Sequence, residues 1–197
     1  QFHISPNVKE REYLTEDEIK VIMTHEFENP SLAFVRDLFV FACFTALSFV
    51  DMKELTTDEI VEVNGEKWII GKRHKTNVPF QVKLLDIPLL IIERYKHLSE
   101  NKLVFGEINY WTMCKQLKKV IKECGIEKQI SYHCARHTFG TLALTKGMPI
   151  ESVSRVLGHT NIVTTQIYAK ITTQKLDNDL TMFGNKLNKV FNDVSIV

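Results

Sequence analysis

Among the 197 residues there are four cysteines, and no two of them form a C-x-x-C pair. That absence removes zinc ribbons and thioredoxin-type redox sites, so Cys43, Cys114, Cys124 and Cys134 read as reduced, intracellular thiols. Long apolar runs are missing too. The nearest candidate, 31-SLAFVRDLFVFACFTALSFV-50, is interrupted by Arg36 and Asp37 and reads as a buried helix, not a membrane span. The opening residues, QFHISPNVKEREYL, lack the cationic-then-apolar layout of a secretory signal, so a cytoplasmic protein is expected. There is also no internal repeat, low-complexity tract or linker. With 44% apolar residues, the chain can bury a real core as one large domain or a tightly joined pair of subdomains.

Net charge is nearly absent, at +1, yet the charges are segregated. Residues 1–66 hold 5 basic and 14 acidic side chains, and residues 67–175 hold 18 and 7. A polyanion would meet the middle of the chain if the fold gathers those cations on one face; otherwise they are solvated helix surfaces.

The pattern along the chain predicts a mainly α fold with one small three-stranded antiparallel sheet. Thr15 and Glu18 make a capping-box signature, predicting a helix from Glu16 to about Phe27, followed by the buried helix from about Leu32. In 60-IVEVNGEKWIIGKRHKTNVPFQVKL-84, Asn64-Gly65 between β-prone runs predicts a hairpin. A third strand follows from about Val78 to Leu84, and Pro79 keeps it at an edge. Helical patterns then cover 86–98, 110–124 and about 133–146. A further helix, with Pro149 in its first turn, ends at Gly158, and Asn161 can cap a short helix carrying Tyr168. The tail from Thr172 to about Val190 places Leu176, Leu180, Phe183, Leu187 and Phe191 at helical spacing.

The densest chemistry lies in 131-SYHCARHTFGTLA-143. On a helix His133, Arg136 and His137 share a face, and three readings are open. The i, i+4 histidines have zinc spacing, but the carboxylate of H-E-x-x-H is missing. Phosphate suits the planar donor fork of arginine and the proton chemistry of imidazole. Alternatively one or both histidines bond backbone in the core, and His137, which precedes the apolar Phe139 and Leu142, is expected to do so.

Downstream, 157-LGHTNIVTTQIYAKI-171 places His159 after a helix-ending glycine and Tyr168 nine residues later. H-x-x-R, then L-G-H, then a tyrosine at that spacing resembles the signature of the tyrosine recombinases, the phage integrase family. The resemblance covers nearly the whole chain: 13-YLTEDEI-19 resembles the start of the family's catalytic domain and 72-KRHKTNVPF-80 its hairpin lysine segment. It implies a catalytic domain over residues 1–197, with residues 172–197 forming a tail that docks on a neighbouring protomer and without the family's N-terminal DNA-clamping module. The implied partner is double-stranded DNA carrying recombination sites, bound by a homo-tetramer that is a monomer in isolation.

The resemblance also assigns roles. Tyr168 is the nucleophile that forms a 3′-phosphotyrosyl link, and no metal or other cofactor is needed because that bond stores the energy of the broken phosphodiester. Arg136 stabilises charge on the non-bridging oxygens. His133 helps deprotonate the tyrosine or bonds the phosphate, His159 donates to a phosphate oxygen, and Lys75 is the general acid for the leaving 5′-oxygen. Lys72, Arg73 and His74 are expected as DNA-backbone contacts.

One residue departs from the pattern. The family has an arginine just after T-G-L, whereas 45-TALSFVDMKEL-55 has Ser48 there, able to give one neutral hydrogen bond and no charge. A slower one-arginine enzyme, an inactive DNA-binding relative, or another cation in the gap are the alternatives. Arg36, the lone cation of the buried segment, is the candidate substitute, with the neighbouring Asp37 expected to point off at a different angle; the alternative is a salt bridge from Arg36 to a carboxylate elsewhere in the fold. Serine at this place resembles integrases of conjugative transposons and related mobile elements. A type IB topoisomerase shares the nucleophile and the phosphate clamp, but the tail favours a recombinase.

Overall fold

The computed structural model describes residues 12–168 and 173–191. It opens with α1 (Glu16–Thr24), whose predicted capping box is formed: the Thr15 N–H donates to Glu18 Oε2 at 2.7 Å, and the Glu18 N–H to Thr15 Oγ1 at 3.3 Å. The helix stops three residues earlier than predicted, and the carbonyls of Ile22, Met23 and His25 at its end accept from Arg36. The buried helix α2 (Pro30–Thr45) is apolar on nearly every side because α1, α4, α5 and α6 all pack on it. It ends at Ala46, in left-handed backbone.

A short helix, α3 (Phe49–Lys53), follows that the apolar pattern does not announce. Its signal is 48-S-x-x-D-51, a second capping box: Ser48 Oγ accepts from the Asp51 N–H at 3.2 Å, and the Ser48 N–H donates to Asp51 Oδ2 at 3.4 Å. The three predicted strands are β1 (Ile60–Val63), β2 (Glu66–Lys72) and β3 (Pro79–Lys83), antiparallel in the order β1-β2-β3. Asn64 and Gly65 turn the first hairpin with φ of +54° and +78°, the positive pair that a tight two-residue turn requires. Pro79 lies on an edge strand, where its missing N–H costs no ladder bond.

The helices α4 (Asp86–Tyr95), α5 (Tyr110–Glu123), α6 (Cys134–Thr145) and α7 (Ile150–Leu157) fall where the patterns placed them. Asn161 caps α8 (Val163–Gln166) by accepting from the Val163 N–H at 2.9 Å, and Tyr168 lies two residues past that helix instead of on it. The tail helix α9 (Thr173–Phe191) leaves Leu176, Leu180, Phe183 and Leu187 exposed. Most of the buried apolar residues form one core around α2. A second, smaller cluster of Ala46, Leu144, Val153 and Leu157 ties α6 and α7 to the end of α2, and the Tyr168 ring packs against it.

Candidate active site

That small cluster is the floor of the site. Above it Arg136, on the first turn of α6, reaches across to two carbonyls: one nitrogen donates to the Ala46 carbonyl, and Nη2 donates to Leu157 O at 2.6 Å. The guanidinium is therefore fixed between the α2–α3 corner and the C-terminal end of α7, where helix carbonyls are left over and cations are favoured. Burial pushes its pKa down to about 10, and the neighbouring Arg73 adds to that, while Tyr168 and Asp51 pull the other way.

Tyr168 is half-buried, with its phenol oxygen 2.7 Å from His137 Nδ1. The ring sits over Gly140, where an added Cβ would come within 2.8 Å of it, so a glycine is needed at that turn of α6 for the tyrosine to lie there. His137 was expected to bond backbone; the partner found for its Nδ1 is the phenol, and the buried histidine belongs to the site. The i, i+4 spacing that suggested zinc brings His133 and His137 edge to face, with ring centroids 4.6 Å apart. His133 stands exposed at the N-cap of α6. His159 follows Gly158, the left-handed residue that ends α7, and its ring is oriented by a 2.9 Å bond between Nδ1 and Thr165 Oγ1. A concavity of about 360 Å³ opens beside His159, Gly158 and Pro79. A larger one, about 740 Å³, is lined by residues from Lys118 to Ser131 and contains no residue of the site.

The hairpin residues separate by burial. Lys72, His74 and Lys75 are exposed, and Lys75 lies in the β2–β3 turn. Arg73 between them is buried, which corrects its expected role as a surface contact to the DNA backbone. Its Nη1 is 2.9 Å from Asp51 Oδ2, its Nη2 donates to Val156 O at 2.5 Å, and the guanidinium lies 4.0 Å from the centre of the Phe80 ring. Asp51 also accepts from the His74 N–H at 2.9 Å and from Ser48 Oγ at 2.8 Å. Burial alone would raise the Asp51 pKa, but these donors together hold it below the usual aspartate value.

Arg36 is not part of this site. Its Nη1 donates to Met23 O at 3.1 Å and His25 O at 2.9 Å, and its Nε lies 2.5 Å from Asp37 Oδ1. The neighbouring carboxylate, expected to point away, is its ion-pair partner. The candidate substitute for the arginine missing at Ser48 is therefore engaged at the end of α1.

The phage integrase family pattern matches residues 12–175. The chain belongs to the phage integrase family. The tyrosine recombinase XerD of Listeria innocua is 45% identical over 146 residues, 67% of this chain and 48% of that protein. The tyrosine recombinase XerA of Saccharolobus solfataricus is 37% identical over 129 residues, 64% of this chain and 43% of that protein. The chain thus spans about half the length of these relatives. The Tn1549 transposon integrase, in complex with a circular intermediate DNA, superposes with a TM-score of 0.73 at 15% identity, covering 91% of this chain and 68% of that one. XerH bound to a palindromic difH substrate after cleavage gives 0.69 at 20%, covering 87% and 53%. The predicted fold, mainly α with a three-stranded antiparallel sheet, is the integrase catalytic fold.

Proposed function

We propose that this integrase-family chain cuts and rejoins DNA in site-specific recombination, with Tyr168 as the nucleophile. The observation that carries the reading is the phenol of Tyr168, hydrogen-bonded to His137 on the same helix that presents Arg136. The phenol oxygen bonds to phosphorus and the bond from phosphorus to the 5′-oxygen breaks. His133, edge to face with the His137 that holds the phenol, helps to take the phenol proton, and Lys75 supplies one to the departing 5′-oxygen. Arg136 and His159 stabilise the charge on the non-bridging oxygens as phosphorus becomes five-coordinate. Attack by another strand's 5′-hydroxyl runs the step backwards and releases the tyrosine. The phosphotyrosyl bond conserves the energy of the phosphodiester, so rejoining requires no nucleotide hydrolysis.

Double-stranded recombination sites are the substrate in this reading, met in the cytoplasm. The exposed apolar stripe of α9 docks on a neighbouring protomer in a DNA-bound tetramer. Lys72 and His74, exposed in the hairpin, contact the DNA backbone. The likeness to a transposon integrase supports mobile-element DNA as the target.

The test is a pool of nicked duplexes with randomised cores, incubated with the protein and screened for adducts that survive detergent. Wild-type protein is expected to trap a subset of duplexes covalently, and Tyr168→Phe to trap none. DNA binding without adduct in the wild type would instead identify an inactive DNA-binding relative.

A further inference from the structure

The small cluster around α7 contains more positive charge than its own residues neutralise. Arg73 and Arg136 hang on successive carbonyls, Val156 and Leu157, at the end of one helix. Each also reaches the α2–α3 corner, Arg136 at the Ala46 carbonyl and Arg73 at Asp51. Two guanidiniums from distant parts of the chain are thus held side by side by the same two elements. Among the described residues, Asp51 is the one carboxylate within ion-pair distance of either. The Arg73 Nε is buried without a hydrogen-bond acceptor, packed where Gly158 leaves room: a Cβ there would lie 3.0 Å from it. Two desolvated cations against one carboxylate cost free energy unless an anion joins them. A phosphate oxygen beside Arg136 and His159 is the anion that completes the set.

We infer that Arg73 is the second phosphate-stabilising guanidinium of the site, delivered by the β2–β3 hairpin in place of a cation on α3. The inference rests on the proposed cleavage reaction, and it explains the serine. Ser48 Oγ donates to Asp51, and Asp51 in turn grips Arg73, so the position without a cation helps hold a cation that arrives from elsewhere. It also explains why Arg73 alone among its neighbours in the turn is buried.

Nicked duplexes recovered with the wild-type protein provide the test, prepared with either a phosphate or an uncharged methylphosphonate at the scissile position. Arg73→Ala is expected to slow cleavage of the phosphate by about 10²–10³-fold. Most of that deficit should vanish on the methylphosphonate, which has one charge fewer to stabilise. Normal cleavage of the phosphate by Arg73→Ala, or equal slowing on both substrates, overturns the inference, because a merely structural arginine ignores substrate charge. The double variant Arg73→Met/Asp51→Asn removes both members of the ion pair and serves if the alanine variant does not fold. A second measurement needs no DNA. Orthovanadate, an analogue of five-coordinate phosphorus, should raise the melting midpoint of the wild type. Its apparent affinity should fall about tenfold or more in either variant, equivalent to one charge-assisted hydrogen bond. Unchanged vanadate binding, or none in the wild type, overturns the inference. If no duplex is ever trapped while vanadate still distinguishes the variants, the cleavage reading fails and the paired-arginine anion site stands.

Discussion

Arg36 and Arg73 are two arginines that the fold takes out of water, and their surroundings differ in what they leave over. Around Arg36 the charge is answered: three carbonyls at the negative end of α1 accept from its Nη1, and the Asp37 carboxylate lies 2.5 Å from its Nε, although that Nε, like the Nε of Arg73, makes no aligned hydrogen bond. The second cation on Asp37, Arg94, is 58% exposed and stays solvated. Around Arg73 the second cation is Arg136, itself mostly buried, and the one carboxylate serves Arg73. A buried arginine whose neighbours absorb its charge is a structural brace. One that leaves a surplus beside the proposed nucleophile is placed to stabilise an anion.

The largest effect expected from that contrast separates rate from stability. Arg136→Ala should lower adduct formation by at least about two to three powers of ten while the protein stays folded. Arg36→Ala should do the reverse, destabilising by about 3–5 kcal/mol because Asp37 loses a buried partner. Cleavage per folded molecule should be retained, and urea melts beside single-turnover cleavage rates read the two quantities. An Arg36→Ala variant that melts normally but does not cleave would erase the distinction.

Asp51→Asn probes the other side of the comparison. The Asp51–Arg73 pair is buried at both ends, so removing the carboxylate should cost about 3–5 kcal/mol near neutral pH. The sign of the pH dependence follows from the folded carboxyl titrating below the usual 3.8. Its contribution is complete above that value and is lost as pH falls through the lower folded pKa. The stability gap between wild type and Asp51→Asn should therefore narrow only on acidification below about pH 4, and a gap constant down to pH 2 would place the stabilisation elsewhere.

Gly140→Ala acts on the tyrosine and leaves both arginines in place. A methyl 2.8 Å from the ring must move the ring or α6, at about 1–3 kcal/mol. The adduct rate should fall with the loss of the bond to His137, visible as a change in the near-ultraviolet signal of the tyrosines. Normal rates would mean that the berth over Gly140 is not the reactive position.

Much of this was legible in the sequence because it depended on local rules. The capping box at Thr15, the Asn64-Gly65 turn and the glycine ending α7 each act within a few residues, and each formed as read. The motif order from His133 to Tyr168 predicted the family correctly. What stayed hidden was pairing across the chain. Whether Arg36 or Arg73 reaches the site depends on which carbonyls and carboxylates each meets, and the carbonyls lie 11–14 residues away for Arg36 but 83 for the Arg73–Val156 bond, with Asp51 22 residues from Arg73. Periodicity marked His137 as buried but could not say that a tyrosine 31 residues on would be its partner. Local rules also missed α3, whose signal lies in 48-S-x-x-D-51, a capping box at the position where the family pattern has its arginine.

Ser48→Ala is the smallest effect and the most discriminating, because it asks whether the serine matters for itself. Its hydroxyl accepts from the Asp51 N–H and donates to the Asp51 carboxylate. Alanine removes an N-cap, at about 0.5–2 kcal/mol, but leaves Asp51 with the two stronger claims of the Arg73 guanidinium and the His74 N–H. Stability should drop by about that amount, and the cleavage rate should stay within a few-fold of wild type. A loss as deep as that of Arg136→Ala would mean that the serine hydroxyl itself meets the phosphate. The second charge at the site would then not come from Arg73.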